Sequence, residues 1–200
     1  MKTNKDFQAP PSACFKKKSV IYHFVFAIFL LTSVQLNAQK TWVAAGSGNW
    51  SIAANWSGGT VPVSTDNVVL NPGAACTITV DGNYPINNLA LGLNATLSIS
   101  STFTLTAGGN FSQTNRTFNG GTGSLNIAGN FSQSGGTFNA GSAVMNVNGT
   151  FSKTTGSFNQ GTVTLAFSGS SAQTISTNDA IRPFYRCQWV EAHPGWDRRL

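Results

Sequence analysis

The stretch GNFSQTNRTFNGG occupies residues 109–121, GNFSQSGGTFNAG residues 129–141, and GTFSKTTGSFNQG residues 149–161. One phrase is written three times at intervals of twenty residues. Two phenylalanines and an asparagine persist while other positions drift. Self-similarity at a fixed short period marks a chain whose units bury their apolar faces only by stacking on one another.

Four blocks align without gaps, at 101–120, 121–140, 141–160 and 161–180. One column holds Leu105, Leu125, Met145 and Leu165; another holds Ala107, Ile127, Val147 and Phe167. A third is Gly109, Gly129, Gly149 and Gly169. The aromatic columns run Phe111, Phe131, Phe151 and then Ser171, and Phe118, Phe138, Phe158 and then Asn178. Asn119, Asn139 and Asn159 follow the second, with Asp179 in the last block. Within a block, SLNIAGNFSQ alternates apolar and polar between Gly and Asn, which is a strand signal. No stretch beyond the leader carries apolar residues at helical spacing.

These patterns predict an all-β chain, a right-handed parallel β-helix with about 20 residues per coil. A sandwich of hairpins also alternates, but strict twenty-residue identity favours the solenoid. Equivalent residues then lie about 4.8 Å apart, the spacing of hydrogen-bonded strands. Phe111, Phe131 and Phe151 form one internal stack and Phe118, Phe138 and Phe158 a second. Asn119, Asn139 and Asn159 form a ladder of side-chain amides, each bonding the next. Gly109, Gly129 and Gly149 are expected at corners of positive φ. Gln113, Gln133 and Lys153 are expected to face water, so Phe131→Ser should be costly and Gln133→Ser nearly free. Upstream, 86–109 alternates at Leu89, Leu91, Leu93, Leu97 and Ile99 and reads as one or two earlier rungs. The coils are therefore placed at 86–180.

Residues 39–85 differ in texture. Trp42, Trp50 and Trp56 fall within fifteen residues, followed by the strands NVVL and TITV around a Pro-Gly turn. Gly48-Asn49-Trp50-Ser51, Ala54-Asn55-Trp56-Ser57-Gly58-Gly59, Val61-Pro62 and Asp66-Asn67-Val68 stand in order. With the rungs behind it, this segment resembles the N-terminal module of large repetitive β-helix proteins secreted by Gram-negative bacteria. Many of those are surface adhesins, autotransporter-like passengers or type IX secretion cargo. The resemblance covers about residues 41–177 and implies architecture and compartment rather than activity. A solenoid end must be closed, and the three tryptophans suit a cap. The same residues are candidate glycan contacts if their rings are exposed.

Charge is distributed unevenly. The chain of 200 residues has net charge +6 and only 9% charged residues. Residues 1–38 contribute +4, 39–181 contribute 0 and 182–200 contribute +2. A nucleic-acid footprint needs a basic stripe on the folded surface, and the repetitive body supplies none. The first block belongs to a leader. Lys16, Lys17 and Lys18 precede an apolar run from Val20 to Leu31 and a polar drift to Ala38. That is the pattern of a secretory signal peptide, 1–38, cleaved before Gln39; the apolar run is too short for a spanning helix. Of the three cysteines, Cys76 and Cys187 lie beyond it, and two do not make a disulfide framework.

Catalysis has little material. Residues 39–181 hold Asp66, Asp81 and Asp179, three basic residues and no histidine. Polysaccharide lyases and hydrolases on β-helices need clustered carboxylates for acid–base work. Asp66 and Asp81 read as turn residues. No Asp-x-Asp calcium spacing occurs, and serine and threonine lack a histidine partner. No catalytic, cofactor or metal residue is assigned. The triplets Asn110-Phe111-Ser112 and Asn130-Phe131-Ser132 read as turn chemistry. Residues 181–200 break the texture, with four of the five arginines and the sole glutamate. They read as an out-of-frame or disordered tail on a truncated chain. The sequence therefore predicts an exported, non-enzymatic surface or matrix protein, a rod with adhesive or structural duty. Its partners are cell-surface or matrix components and glycans. The alternative is a glycan-contacting N-terminal piece of a larger polysaccharide-acting enzyme.

Overall fold

In the computed structural model the described residues are 37–169 and the strands Ile175–Ser176 and Pro183–Tyr185. The expected leader falls outside them except for Asn37 and Ala38, as do Cys187 and most of the tail. The fold is a parallel β-solenoid with three sheet faces per coil. The first full coil is Asn67–Leu70, Cys76–Val80 and Tyr84–Ile86. Leu89–Leu91, Ala95–Ile99 and Thr104–Ala107 form the second, and Phe111–Gln113, Thr117–Asn119 and Ser124–Ile127 the third. In the next two coils the first and second faces are one bent strand, Phe131–Asn139 or Phe151–Asn159, followed by Val144–Val147 or Thr164–Phe167. Every pair of neighbouring coils is joined by parallel ladders.

Alternation decides which residues go inside. Successive side chains of a strand point to opposite faces, so each short strand sends one or two apolar side chains into the bore. On the first face the register aligns Val68, Leu89, Phe111, Phe131 and Phe151. On the second it aligns Ile78, Leu97, Phe118, Phe138 and Phe158. All ten are buried. Both aromatic stacks thus continue upstream as aliphatic columns.

The rings pack in two modes. Phe111, Phe131 and Phe151 stack at 5.3 and 4.5 Å with interplanar angles of 2° and 9°. Phe118, Phe138 and Phe158 stack at 4.4 and 5.1 Å. Within each coil the two stacks meet edge to face, as in Phe131–Phe138 at 5.1 Å and 88°. Edge-to-face and offset contacts are the favoured aromatic geometries. The amide ladder forms as well. Asn139 Nδ2 donates to Asn119 Oδ1 at 2.7 Å, and Asn159 Nδ2 to Asn139 Oδ1 at 2.8 Å.

Four details depart from the sequence reading. First, Gln113, Gln133 and Lys153 face inward, with exposures of 0, 0 and 4%. They continue the inward column of Leu70 and Leu91. Each stands two residues after an inward phenylalanine, and period two puts it on the same side whatever its polarity.

Second, Gly109, Gly129 and Gly149 do not have positive φ; Gly121, Gly141 and Gly161 do, at the corner before the third face. The first set is glycine for lack of room. A Cβ on Gly129 would collide with Asn110 Oδ1 and stand 2.7 Å from the Gly109 carbonyl oxygen. We therefore expect Gly129→Ala to cost about 1–2 kcal/mol, as overpacking does. A urea midpoint unchanged from that of the parent would refute the collision.

Third, the last block slips. Phe151 pairs with Ile175, not Ser171, an interval of 24 residues in place of 20. Asn178 and Asp179 lie outside the described residues. Fourth, Leu93 is 54% exposed; Asn94 turns the chain at φ 64°, and Leu93 sits on that corner.

Two boundaries also read differently. A full coil, 67–86, lies inside the segment assigned to the cap. Pairing also enters the tail, where Leu165, Ala166 and Phe167 align with Pro183, Phe184 and Tyr185.

Candidate functional site

The N-terminal tryptophans come together as a cluster. Gln39–Thr41 pairs with the first face and Gly48–Asn49 with the second. Two short 3-10 turns, Ala53–Asn55 and Ser57–Gly59, bring Trp56 back to Trp42. Trp42 and Trp50 pack on Trp56 at 5.2 and 4.5 Å. Trp50 stacks on Tyr84, the first described strand of the third face, at 5.8 Å and 28°. The exposures of Trp42, Trp50 and Trp56 are 4, 0 and 1%. Trp56 Nε1 donates to the Trp50 carbonyl and Trp42 Nε1 to the Gly46 carbonyl. Rings covered in this way offer no face for a sugar to stack on, and they extend the apolar core to the first rung.

The two described carboxylates, Asp66 and Asp81, are both hydrogen-bonded, Asp66 within a turn and Asp81 across to a distant segment. Asp66 Oδ2 accepts the Val63 amide at 2.9 Å. Asp81 accepts the Ser51 hydroxyl at 2.6 Å and the Ser51 amide at 3.0 Å, tying the Trp50 segment to the first coil. Burial pushes the Asp81 carboxyl up, but its hydrogen bonds, foremost those from Ser51, together outweigh burial and hold the group below its ordinary value. Tyr84, beside it, is raised, chiefly by burial and then by the Asp81 charge. Among the described residues, no group of three or more His, Cys, Asp or Glu could hold a metal ion.

A concave feature of the described surface lies elsewhere. The outer side of the first face is hollowed into two adjoining depressions of about 460 and 330 Å³ that share Val69, Ala90 and Ser112. Its floor is a column of small residues: Val69, Ala90, Ser112 and Ser132. One wall is the corner column Asn67, Asn88, Asn110 and Asn130. The other includes Asn71, Leu93 and Thr114. The trough exists because small floor residues lie between taller corners, and it crosses four consecutive coils.

No protein-family model, curated protein or solved structure matches this chain.

The asparagine wall is built by hydrogen bonds between coils. Asn88 Oδ1 accepts the Asn110 amide at 2.7 Å, Asn110 Oδ1 the Asn130 amide at 2.8 Å, and Asn130 Oδ1 the Thr150 amide at 2.8 Å. The neighbouring glycines make room for these oxygens. Each triplet read as turn chemistry thus has three duties. In Asn130-Phe131-Ser132, Asn130 is wall, Phe131 is core and Ser132 is floor. Small Ser112 and Ser132, each two residues after the Asn of a repeated Gly-Asn, were the available signal for the trough.

Proposed function

We propose that this chain is a non-catalytic adhesive or structural rod of the bacterial surface or extracellular matrix. The observation that carries the reading is the uninterrupted parallel ladder through five coils, whose inward columns are packed and whose outward columns are largely uncharged Ser, Thr and Asn. Such a stack is stiff because each coil is fixed to both neighbours. It presents the same side-chain chemistry again and again along one axis, so weak contacts add by multivalency. The resemblance of the Trp-rich segment to modules of secreted adhesin-like proteins supports the same reading. So does the position of the first strand, Gln39–Thr41, immediately after the expected cleavage point. Among the described residues, Asp66 is held by the Val63 amide and Asp81 by Ser51.

The test is expression of the full chain in a Gram-negative host. We expect a product beginning at Gln39, accessible to external protease, and beads coated with it should adhere to bacterial surface material. Retention inside the cell with the leader intact, or absence of adhesion by the coated beads, would overturn the proposal.

A further inference from the structure

We propose that the trough on the first face binds a neutral polysaccharide chain lying along the solenoid axis. This rests on the adhesive reading and names the chemistry of its site. The wall fixes the argument. Asn110 and Asn130 each hold their Oδ1 on the amide of the following coil, so the carboxamide cannot turn over without losing that bond. Their Nδ2 groups have no protein acceptor among the described residues, whereas Asn88 Nδ2 donates to Asn67 Oδ1. Two oriented amide donors therefore stand on one side of the trough, one coil apart, about 4.8 Å. Ser132 adds a hydroxyl to the floor beside them, and Ser112 a second whose Oγ donates to the Leu89 carbonyl at 3.5 Å and keeps its lone pairs for a ligand.

The occupant follows from this inventory. Among the described residues, no side chain of Asp, Glu, Lys, Arg or His lines the trough. A phosphate or uronate polymer is held largely by cations, and none line the trough. A peptide strand adds to a sheet edge through backbone groups, but here the floor is a sheet face whose backbone groups bond to adjacent coils. A neutral polysaccharide carries hydroxyl and ring oxygens at short regular intervals. It takes hydrogen bonds from fixed amides and exchanges them with serine hydroxyls. The floor lacks an aromatic platform, so each step is weak and retention grows with the number of coils engaged.

The experiment uses the full chain and measures its depletion by cellulose, curdlan and amylose, with polygalacturonate as the anionic control. Asn110→Asp with Asn130→Asp retains an oxygen for each backbone amide while removing both donors. Ser132→Ile fills the trough from its exposed floor with a bulky side chain that brings no aromatic face and alters no wall bond. Circular dichroism melts confirm that each variant is folded. We expect retention on at least one neutral polymer, reduced tenfold or more by the double substitution and by Ser132→Ile, with polygalacturonate left in solution. Failure of every neutral polymer, preference for polygalacturonate, or equal retention of the folded variants would each overturn the assignment. Coated-bead adhesion is read in parallel. Adhesion that survives both variants leaves the adhesive rod standing and removes the trough from it. Absence of adhesion by the parent chain removes the broader reading instead.

Discussion

Phe131→Ala should lower the stability of the solenoid by about 3–5 kcal/mol, the range for emptying a buried aromatic site. Phe131 is the hub of the bore. It stacks on Phe111 and Phe151 and meets Phe138 and Phe158 edge to face at 5.1 and 5.9 Å. It is 0% exposed. Truncation removes the apolar transfer term and leaves a void that rigid ladders on both sides cannot close. Ser132→Ala, one residue along the same strand and pointing outward, should stay within about 0.5 kcal/mol. Urea midpoints of the two variants provide the comparison. Energy in a stacked repeat passes mainly between neighbours, so hydrogen exchange in the Phe131 variant should accelerate first around the coils of Phe111 and Phe151. Equal small shifts for both variants would show that the column is not an internal stack.

How far the sequence could be read depended on how regular the corners are. Between 101 and 160 the registers advance by twenty residues on all three faces, as from Phe118 to Phe138 and Leu125 to Met145. A gapless alignment finds those columns. Upstream, Val68 pairs with Leu89 and Leu89 with Phe111, intervals of 21 and 22 residues. On the second face Cys76 pairs with Ala95, an interval of 19. Strand positions tolerate no slip because one residue reverses every side chain, whereas corners absorb insertions. The coil at 67–86 was therefore legible as two strands and a turn but not as a rung. Leu93 shows the same limit, since alternation continued across a corner places an exposed residue in the core. The trough was hidden for a different reason: concavity comes from the relative height of three columns, which no single repeat displays. The glycines were visible, but their cause was not. Gly129 faces the wall oxygen of Asn110 in the preceding coil, a contact that exists only after stacking.

The inward glutamines provide the second large expected effect and reverse the sequence reading at one position. Gln133→Ala should cost about 3 kcal/mol, combining loss of buried packing with loss of a donor to buried carbonyls. Gln133 Nε2 lies 3.0 Å from the Ser157 carbonyl oxygen and 3.4 Å from those of Gly135 and Gly136. Gln113 repeats the arrangement with Thr137, Arg116 and Asn115. The amide thus closes the corner between the first and second faces in its own coil and reaches the next. These acceptors fix its orientation and leave Oε1 of both glutamines buried without a partner. That orphaned oxygen costs stability, so the column is a compromise between an apolar bore and a corner rich in carbonyls. Gln133→Leu separates the two. Leucine fills the column upstream at Leu70 and Leu91, so the change keeps the volume, removes the orphaned oxygen and forfeits only the corner donor. Its midpoint should fall between those of the parent and Gln133→Ala. If both variants instead matched the parent, the side chain would be contributing no more than a solvent-facing residue, and the inward assignment of the column would fail.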